Sequence, residues 1–425
     1  MHSVNSYPRP SALEPSAVQP IATADSTLAG RLNFLDSMGF RRIIAMHMRW
    51  YAVAVLLCMA AFTAFAWPVV TTHLQALAVL DQVANKPIAA PIRWLIAEPV
   101  ATSELTLELP SGTIRARLYT PRYHPHAPAV LILHGVHYLG IDEPRLVAFA
   151  SAISSCGLRV LTPELPDIKD YHIGANSIAS IGEASGWLAH QNGGQPVGVI
   201  GLSFSGSLSL LAAGRPRFSP SIKFVFAIGS EDQMSRVANY YITGEDIRPD
   251  GTEEMLPPHE YGALVLEYAH LEELIPRSDL AAVRTGLRDH LYEDVPAERA
   301  ALATLTSSQA AEAKQLMDTT SPITRRRLAE IDAVEAASMD AVSPHSHLAQ
   351  LRTPVYLLHG EGDNIIPAAE TEWLEADVPR NALQAALISP VLSHLDLDGE
   401  GPSVADQLRL VHLFALVLHA SQAPS

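Results

Sequence analysis

Residues 196–213 of the chain read PVGVIGLSFSGSLSLLAA. An apolar run typical of a buried strand ends at Gly201 and a helical pattern follows, so Ser203 is predicted to lie on a tight strand-to-helix turn. Such a turn brings backbone segments close together and needs small residues two positions before and after the serine, which Gly201 and Ser205 provide. The pattern therefore predicts a Ser203 hydroxyl exposed at the edge of a sheet.

Two later loops carry the groups that would activate this hydroxyl. Asp363 follows an apolar run that predicts a strand, and His394 ends the loop after the next predicted strand. A nucleophilic serine needs a histidine to remove its proton and a carboxylate to orient that histidine. Because loops at the carboxyl ends of parallel strands meet at one edge of a sheet, we expect Ser203, Asp363 and His394 to form a catalytic triad.

Backbone N–H groups for a developing oxyanion are predicted on either side of this serine. Phe204 would begin the helix after the turn, where its N–H has no partner within the helix. Upstream, a buried strand ends in the sequence LILHGV at residues 131–136, and Val136 is the first choice for the second donor, with Gly135 as the alternative. His134 precedes this turn and is expected to brace the loop by hydrogen bonds rather than to act as a base.

The remainder of the chain after about residue 98 alternates short apolar runs with helical segments. This pattern is typical of an α/β fold, a mostly parallel sheet flanked by helices, here opened by a hairpin. The alternation breaks between Glu231 and His345, where we expect helices and no strand. An insertion at this place most economically forms a helical cap over the carboxyl edge of the sheet. Residues expected to line a substrate pocket are His137, Tyr138, Tyr240, Tyr241, His259 and Tyr261.

The motifs around Ser203, the loop at 131–136, Asp363 and His394 together resemble those of a known superfamily. The segments GLSFSG, LHG, LLHGEGDNIIP and ISPVLSH, in the order Ser203, Asp363, His394, resemble the α/β-hydrolase superfamily. The whole arrangement is similar to membrane-anchored bacterial α/β hydrolases of unassigned substrate. Two departures stand out, because Ser205 replaces the usual second glycine of the elbow and Val136-His137 replace the glycines of a lipase-like oxyanion loop. The first is conservative, and the second argues against esters of bulky alcohols.

The resemblance implies a serine hydrolase that works through an acyl-enzyme, most often on carboxylic esters, without a cofactor. The expected partner is a small acyl substrate, lipid-like substrates included. Thioesterase, peptidase and acyltransferase activities use the same triad and stay open, as does a non-enzymatic binding or scaffold module with this fold. Asp232 is the alternative acid, because some α/β hydrolases carry theirs on the loop after the strand that here spans Phe224–Ile228.

An apolar segment precedes the hydrolase-like region. Residues 50–70 contain no charged side chain, and about 20 such residues form a helix long enough to cross a bilayer. Arg31, Arg41, Arg42 and Arg49 precede the segment, whereas Lys86 alone follows at similar distance, so the N-terminus is predicted to be cytoplasmic. We expect a single-pass protein of the inner membrane with its hydrolase domain in the periplasm. The alternative is a signal peptide cleaved after Ala64-Phe65-Ala66, which would export the same domain.

Composition excludes several other classes of protein. Lys and Arg total 29 against 45 Asp and Glu, so the net charge of −16 argues against nucleic acid as a partner. The two cysteines, Cys58 and Cys156, cannot form a disulfide framework and belong to no Cys/His cluster. The histidine pairs at 124 and 126 and at 345 and 347 have no third ligand nearby in the sequence, so we expect no metal site.

The predicted organisation has six segments. Residues 1–49 are expected to form a disordered, basic cytoplasmic tail and 50–70 the membrane helix. Residues 71–97 would be a stalk, helical at first because Leu74, Leu77, Leu80 and Val83 keep a helical spacing. The hydrolase core is predicted at 98–230 and 346–425, and the helical cap at 231–345.

Overall fold

A computed structural model of the chain describes residues 27–86, 96–392 and 403–423, and for residues 27–44 and 65 the backbone alone. The chain divides into two compact units, Met1–Ala66 and Trp67–Ser425. The second unit contains the whole sheet and the helices that cover it.

Helix α1 spans Thr27–Val83 and is much longer than the predicted membrane helix. Residues 27–49, expected within a disordered tail, are therefore helical, which agrees with the absence of proline between Pro20 and Pro68. The part of α1 from Ala45 to Val83 is long and apolar enough to cross a membrane. Large apolar side chains in the part of this segment that precedes Ala66, such as Trp50, Leu57 and Phe62, are exposed.

The last turns of α1, from Trp67 onward, belong to the second unit and pack within it. Thr72, Ala76 and Val79 are buried there. The Gln75 side chain donates to the Cys156 carbonyl (2.9 Å) and accepts from the Gln422 amide (3.0 Å). The first part of the expected stalk is thus a docked helix, because its apolar side chains face the core. Residues 87–95, in the second half of that segment, lie outside the described part of the chain.

The central sheet has eight strands in the order β1-β2-β4-β3-β5-β6-β9-β10. The opening hairpin is antiparallel, β4 runs antiparallel to β2, and all other neighbours pair in parallel. The strands span β1 Val100–Leu109, β2 Gly112–Pro121, β3 Ala129–Leu133, β4 Arg159–Pro163, β5 Val197–Leu202, β6 Ile222–Ile228, β9 Val355–Gly360 and β10 Leu383–Ser389.

Helices cover both faces of this sheet. Alternate strand residues enter two different apolar clusters, as Leu131 and Ile132 do, because successive side chains point to opposite faces. One cluster includes side chains of α1 and of two further helices, α2 Pro144–Ser155 and α14 Val404–Gln422. The other includes side chains of α4 Ala175–Gln191, α5 Phe204–Gly214 and α13 Ala369–Asp377. A short helix, α3 Pro166–Lys169, follows β4.

The insertion, residues 231–345, is mainly helical. It also contains two short antiparallel strands, β7 Glu245–Ile247 and β8 Glu253–Met255, where we had expected none. Strands of this length are too short to show an alternating pattern. The helices are α6 Met234–Thr243, α7 Glu260–Ala269, α8 Leu271–Leu274, α9 Leu280–Leu291, α10 Val295–Ala303, α11 Ser307–Met317 and α12 Pro322–Asp340. Their apolar faces join the cluster that α5 contributes to.

Candidate active site

Ser203 occupies a strained turn between β5 and α5. Its backbone has φ 55° and ψ −138°, a conformation that residues other than glycine rarely adopt. A Cβ atom on Gly201 would lie 2.5 Å from the Cα of Gly206, so the residue two before the serine has no room for a side chain. The Ser203 carbonyl accepts hydrogen bonds from the Gly206 N–H (2.9 Å) and the Ser230 hydroxyl (2.8 Å). The turn is therefore tightly packed and held from two sides.

The neighbouring serines have other partners. Ser205 donates its hydroxyl to the His134 carbonyl (2.5 Å), and Ser207 donates to the Glu231 carbonyl (2.7 Å). Both are fully buried, whereas Ser203 lines the large cavity described below. Ser205 and Ser207 hold adjacent loops in place, which leaves Ser203 as the serine that faces the cavity.

The loop after β3 lies directly against this turn. A Cβ on Gly135 would approach the Cβ of Ser203 to 3.3 Å. His134 accepts a hydrogen bond at Nε2 from the Leu165 N–H (2.9 Å) and donates from Nδ1 to the Gly135 carbonyl (2.8 Å). Burial lowers the pKa of His134 to about 4, so its ring is neutral and braces the loop.

Val136 and Phe204 line the same cavity as Ser203. Phe204 is the first residue of α5, so its N–H has no partner within that helix. The Val136 carbonyl accepts a hydrogen bond from the Tyr261 hydroxyl (2.9 Å), which links this loop to the insertion. The two predicted oxyanion donors thus lie on segments that border the serine.

Asp363 is buried in the loop after β9. Its Oδ1 accepts hydrogen bonds from the N–H groups of Ile365 (2.9 Å) and Ile366 (3.0 Å), which fix the carboxylate. The next residues, Asn364 and Ile365, line the cavity that Ser203 faces. Asp363 thus belongs to a loop that reaches the candidate site.

His359 is a buried neighbour of this carboxylate to which we had assigned no function. Its Nε2 donates to the Ile366 carbonyl (2.9 Å) and lies 3.4 Å from Asp363 Oδ2. In the neutral ring, Nδ1 then accepts from the Thr371 hydroxyl at 2.7 Å. The ring therefore ties the Asp363 loop to α13. Its position four residues before Asp363, at the end of a strand, is the signal in the sequence that could have identified it.

His394 lies outside the described residues. The chain that leads to it is described as far as Leu392, which is buried and lines the cavity together with Ser203. The third member of the predicted triad is therefore two residues beyond a segment that borders the site.

Asp232, the alternative acid, has different surroundings. Its Oδ2 accepts a hydrogen bond from Arg236 (2.8 Å) and lies 3.1 Å from Nδ1 of His345. Glu370 pairs with the same guanidinium and accepts from the N–H of Asp232 at 2.8 Å. Burial raises the pKa of Asp232 to about 6, and the Arg236 hydrogen bond opposes that rise. Asp232 does not line the cavity with Ser203.

Glu231, next to it, is fully buried, and neither of its carboxylate oxygens has a hydrogen-bond partner within the described part of the chain. Burial raises the pKa of this carboxyl well above its usual value.

The main cavity has a volume of about 470 Å³, within the range of small-molecule sites. Of the six residues expected to line a substrate pocket, four lie on the wall of this cavity, namely His137, Tyr138, His259 and Tyr261. The rings of His137 and Tyr138 stack with centroids 4.8 Å apart, and Tyr138 stacks on Tyr292 at 4.3 Å. Tyr292, which also lines the cavity, was absent from the prediction.

Tyr240 and Tyr241 lie elsewhere. Tyr240 donates its hydroxyl to the Asn364 carbonyl (3.1 Å) and is buried. Tyr241 packs so closely on Gly262 that a Cβ there would lie 2.5 Å from the tyrosine ring, and it lines a separate, smaller cavity. Both rings point into the core because α6 packs against α7.

At least one histidine of each pair has an acidic neighbour. His345 lies near Asp232 and Asp377, close enough for the three to share a cation, but the Arg236 guanidinium already neutralises Asp232. His124 pairs with Glu98 at 2.7 Å. A second set of side chains close enough to share a cation lies in the insertion and consists of His270, Glu273 and Glu335.

No protein-family model matches this chain, and no curated protein matches it either. Solved structures do show a likeness. A putative lipase from Acinetobacter baumannii AYE is 15% identical over 81% of this chain and 96% of its own, with a TM-score of 0.41. An esterase from Pyrobaculum calidifontis is 17% identical over 83% and 92%, with a TM-score of 0.41. A bacterial membrane phospholipase A is 12% identical over 86% and 97%, with a TM-score of 0.38.

The strand order and the turn at Ser203 define the architecture of this chain. The sheet carries an antiparallel hairpin at one edge and six further strands, the serine turn follows the central β5, and the helical insertion lies between β6 and β9. This chain has the α/β-hydrolase fold.

Proposed function

We propose that this protein is a serine hydrolase that cleaves carboxylic esters through an acyl-enzyme on Ser203. The observation that carries the proposal is the strained serine turn on the wall of a cavity of about 470 Å³. Backbone strain of this kind costs about 1–3 kcal/mol and is typical of functional positions. A protein that serves only as a binding scaffold would not need a strained backbone at this serine.

In the first step, His394 takes the proton of the Ser203 hydroxyl while Oγ attacks the ester carbon. The negative charge that develops on the carbonyl oxygen is stabilised by the N–H groups of Phe204 and Val136. The bond from carbon to the alcohol oxygen then breaks, and the imidazolium gives its proton to the leaving alcohol. Asp363 holds the imidazole in the required tautomer throughout.

In the second step, water attacks the acyl carbon and gives its proton to His394. The bond between the acyl carbon and Oγ breaks, the acid leaves, and the proton returns to Ser203. No cofactor is needed to balance either step. The role of Asp363 is supported by its two backbone hydrogen bonds and by its neighbours on the cavity wall.

The apolar helix Ala45–Val83 supports anchorage in the inner membrane. The arginines that precede residues 50–70 favour a cytoplasmic N-terminus and a periplasmic hydrolase domain. A reporter that works only outside the cytoplasm, fused after Ser425, should therefore be active. Activity of a cytoplasmic reporter at the same position would contradict this orientation, and a soluble product cut near Ala66 would favour a signal peptide.

Labelling with a fluorophosphonate tests the chemistry, because this probe reacts with activated serines. The full-length wild type should take up the label and hydrolyse aryl esters, and Ser203→Ala should do neither. Ser209→Ala is the matched control. Ser209 is buried in α5, the helix that follows Ser203, and its hydroxyl donates to the Ser205 carbonyl. It should keep both activities.

Two results would overturn the proposal. Label that survives Ser203→Ala would mean that another residue is the nucleophile. A folded wild type that takes up no label and cleaves no ester, thioester or amide would favour a binding module instead.

A further inference from the structure

The last turns of α1 form part of the cavity that contains Ser203. Leu80 and Val83 line it, together with residues from the sheet, from α2 and from α14. Both are half-buried and pack on the cluster that includes Phe149 and Phe414. The helix that carries the long apolar segment therefore also supplies a wall of the candidate active site.

This wall is fixed to the hydrolase unit. Ala76 and Val79 are buried, and the Gln75 side chain forms hydrogen bonds with the Cys156 carbonyl and the Gln422 side chain. Val83 is the last residue of α1. The contacts leave Leu80 and Val83 in a defined position on the cavity wall.

The cavity has two chemically different sides. One part of the lining is apolar and comes from the cluster shared by α1, α2 and α14: Leu80, Val83, Leu146, Phe149, Leu202, Ile228, Leu358, Leu392 and Phe414. The charged residues Glu143 and Arg145, at the start of α2, line the cavity as well. On the other side, the loop after β3 and the insertion contribute aromatic and polar groups: His137, Tyr138, His259, Tyr261, Tyr292 and Glu293. Leu202, one of the apolar lining residues, directly precedes Ser203 in the chain.

We propose that the apolar side binds the linear acyl chain of a long-chain ester, of the kind found in membrane lipids, and that Leu80 and Val83 of α1 are specificity-determining residues for that chain. This inference rests on the proposed function. A short acyl group would leave most of the apolar wall in contact with water, whereas each methylene buried there should strengthen binding about fourfold. The aromatic and polar side suits the more polar alcohol portion.

Aryl esters of butanoate, octanoate and dodecanoate provide the test, with the full-length chain in detergent micelles. For the wild type, kcat/KM should rise with each step of four methylenes, by up to about 200-fold where all four are buried. Leu80→Trp places a bulky ring in the apolar side and should lower the dodecanoate to butanoate ratio of kcat/KM at least tenfold. Val83→Phe is the second variant and should lower the same ratio.

Leu77→Trp is the matched control, because Leu77 lies on the same helix, is half-buried and does not line the cavity. Its ratio should equal that of the wild type. Variants that take up the fluorophosphonate label but keep the wild-type ratio would overturn the assignment of this wall to the acyl chain. A preference for long alcohols in a series of acetate esters, with none for long acyl groups, would overturn it as well. If the wild type cleaves no ester, the proposed function fails and this inference with it.

Discussion

Two buried aspartates follow neighbouring strands at the same edge of the sheet. Asp232 comes after β6 and Asp363 after β9, and the two strands pair in parallel. Asp363 is held by two backbone N–H groups in a loop whose next residues line the cavity. Asp232 is held by a guanidinium that also binds Glu370. Burial and position alone thus do not distinguish a candidate catalytic carboxylate from a structural one. The hydrogen-bond and ion-pair partners of the carboxylate oxygens make the distinction.

The largest effect that this comparison predicts is on turnover. Asp363→Asn should lower kcat for ester hydrolysis by about 10³- to 10⁴-fold, because the amide no longer selects the reactive tautomer of His394. Asp232→Asn, the same chemical change one strand away, should lower kcat less than tenfold. Steady-state kinetics on one aryl ester measures both variants. The reverse order would make Asp232 the acid of the triad.

The second effect concerns the free energy of unfolding. Arg236→Met would leave Asp232 and Glu370 buried without their cation and should lower stability by about 3–5 kcal/mol in denaturant unfolding. Arg409→Met is the control, because Arg409 pairs with Asp406 at 2.8 Å but is 67% exposed. That change should cost less than about 1 kcal/mol. Equal losses of stability in the two variants would show that Asp232, Arg236 and Glu370 do not form the structural element we describe.

The third effect is a pH dependence of stability at Asp232. Its pKa of about 6 in the folded chain lies above the ordinary value of 3.8, so the folded protein binds this proton more tightly than the unfolded chain does. The resulting stabilisation is fully present below about pH 4 and is lost as the pH rises through 6. Between pH 4 and 7, the wild type should therefore lose up to about 3 kcal/mol relative to Asp232→Asn. A difference that is constant with pH would contradict the raised pKa.

The smallest effect compares the hydroxyls that support the two loops. Thr371→Val removes the donor to His359 behind Asp363, whereas Ser343→Ala removes the acceptor of the Met234 N–H near Asp232. Each should cost about 1–2 kcal/mol of stability, because a buried polar group loses its partner. Turnover should fall several-fold in Thr371→Val and stay within twofold of the wild type in Ser343→Ala. Equal turnover in both would mean that His359 does not position Asp363.

The parts of this molecule that were predictable from the sequence are those set by local constraints. The turn at Ser203 needs small residues within three positions, and those residues stand next to it in the sequence. The eight-stranded arrangement likewise follows from short apolar runs and the helices between them.

The remainder depends on contacts between distant segments. Tyr241 turns away from the main cavity because Gly262 leaves room for its ring. No sequence pattern around position 241 predicts that contact. His359 braces Asp363 through Thr371, twelve residues later. The docking of α1 depends on Cys156 and Gln422, both far along the chain. Tertiary packing, which local propensity cannot express, decides each of these.

The left-handed backbone at Ser203 also bears on how such a chain can evolve. Glycine adopts this conformation without the strain that a serine carries there, about 1–3 kcal/mol. If Ser203 is the nucleophile that we propose, a lineage that replaced it by glycine would lose the nucleophile and gain stability in the same step. Selection for turnover would then be what keeps the serine in place. Where that selection lapses, the descendants would keep the sheet, the cavity and its apolar wall, and so remain folded proteins able to bind what their ancestor cleaved.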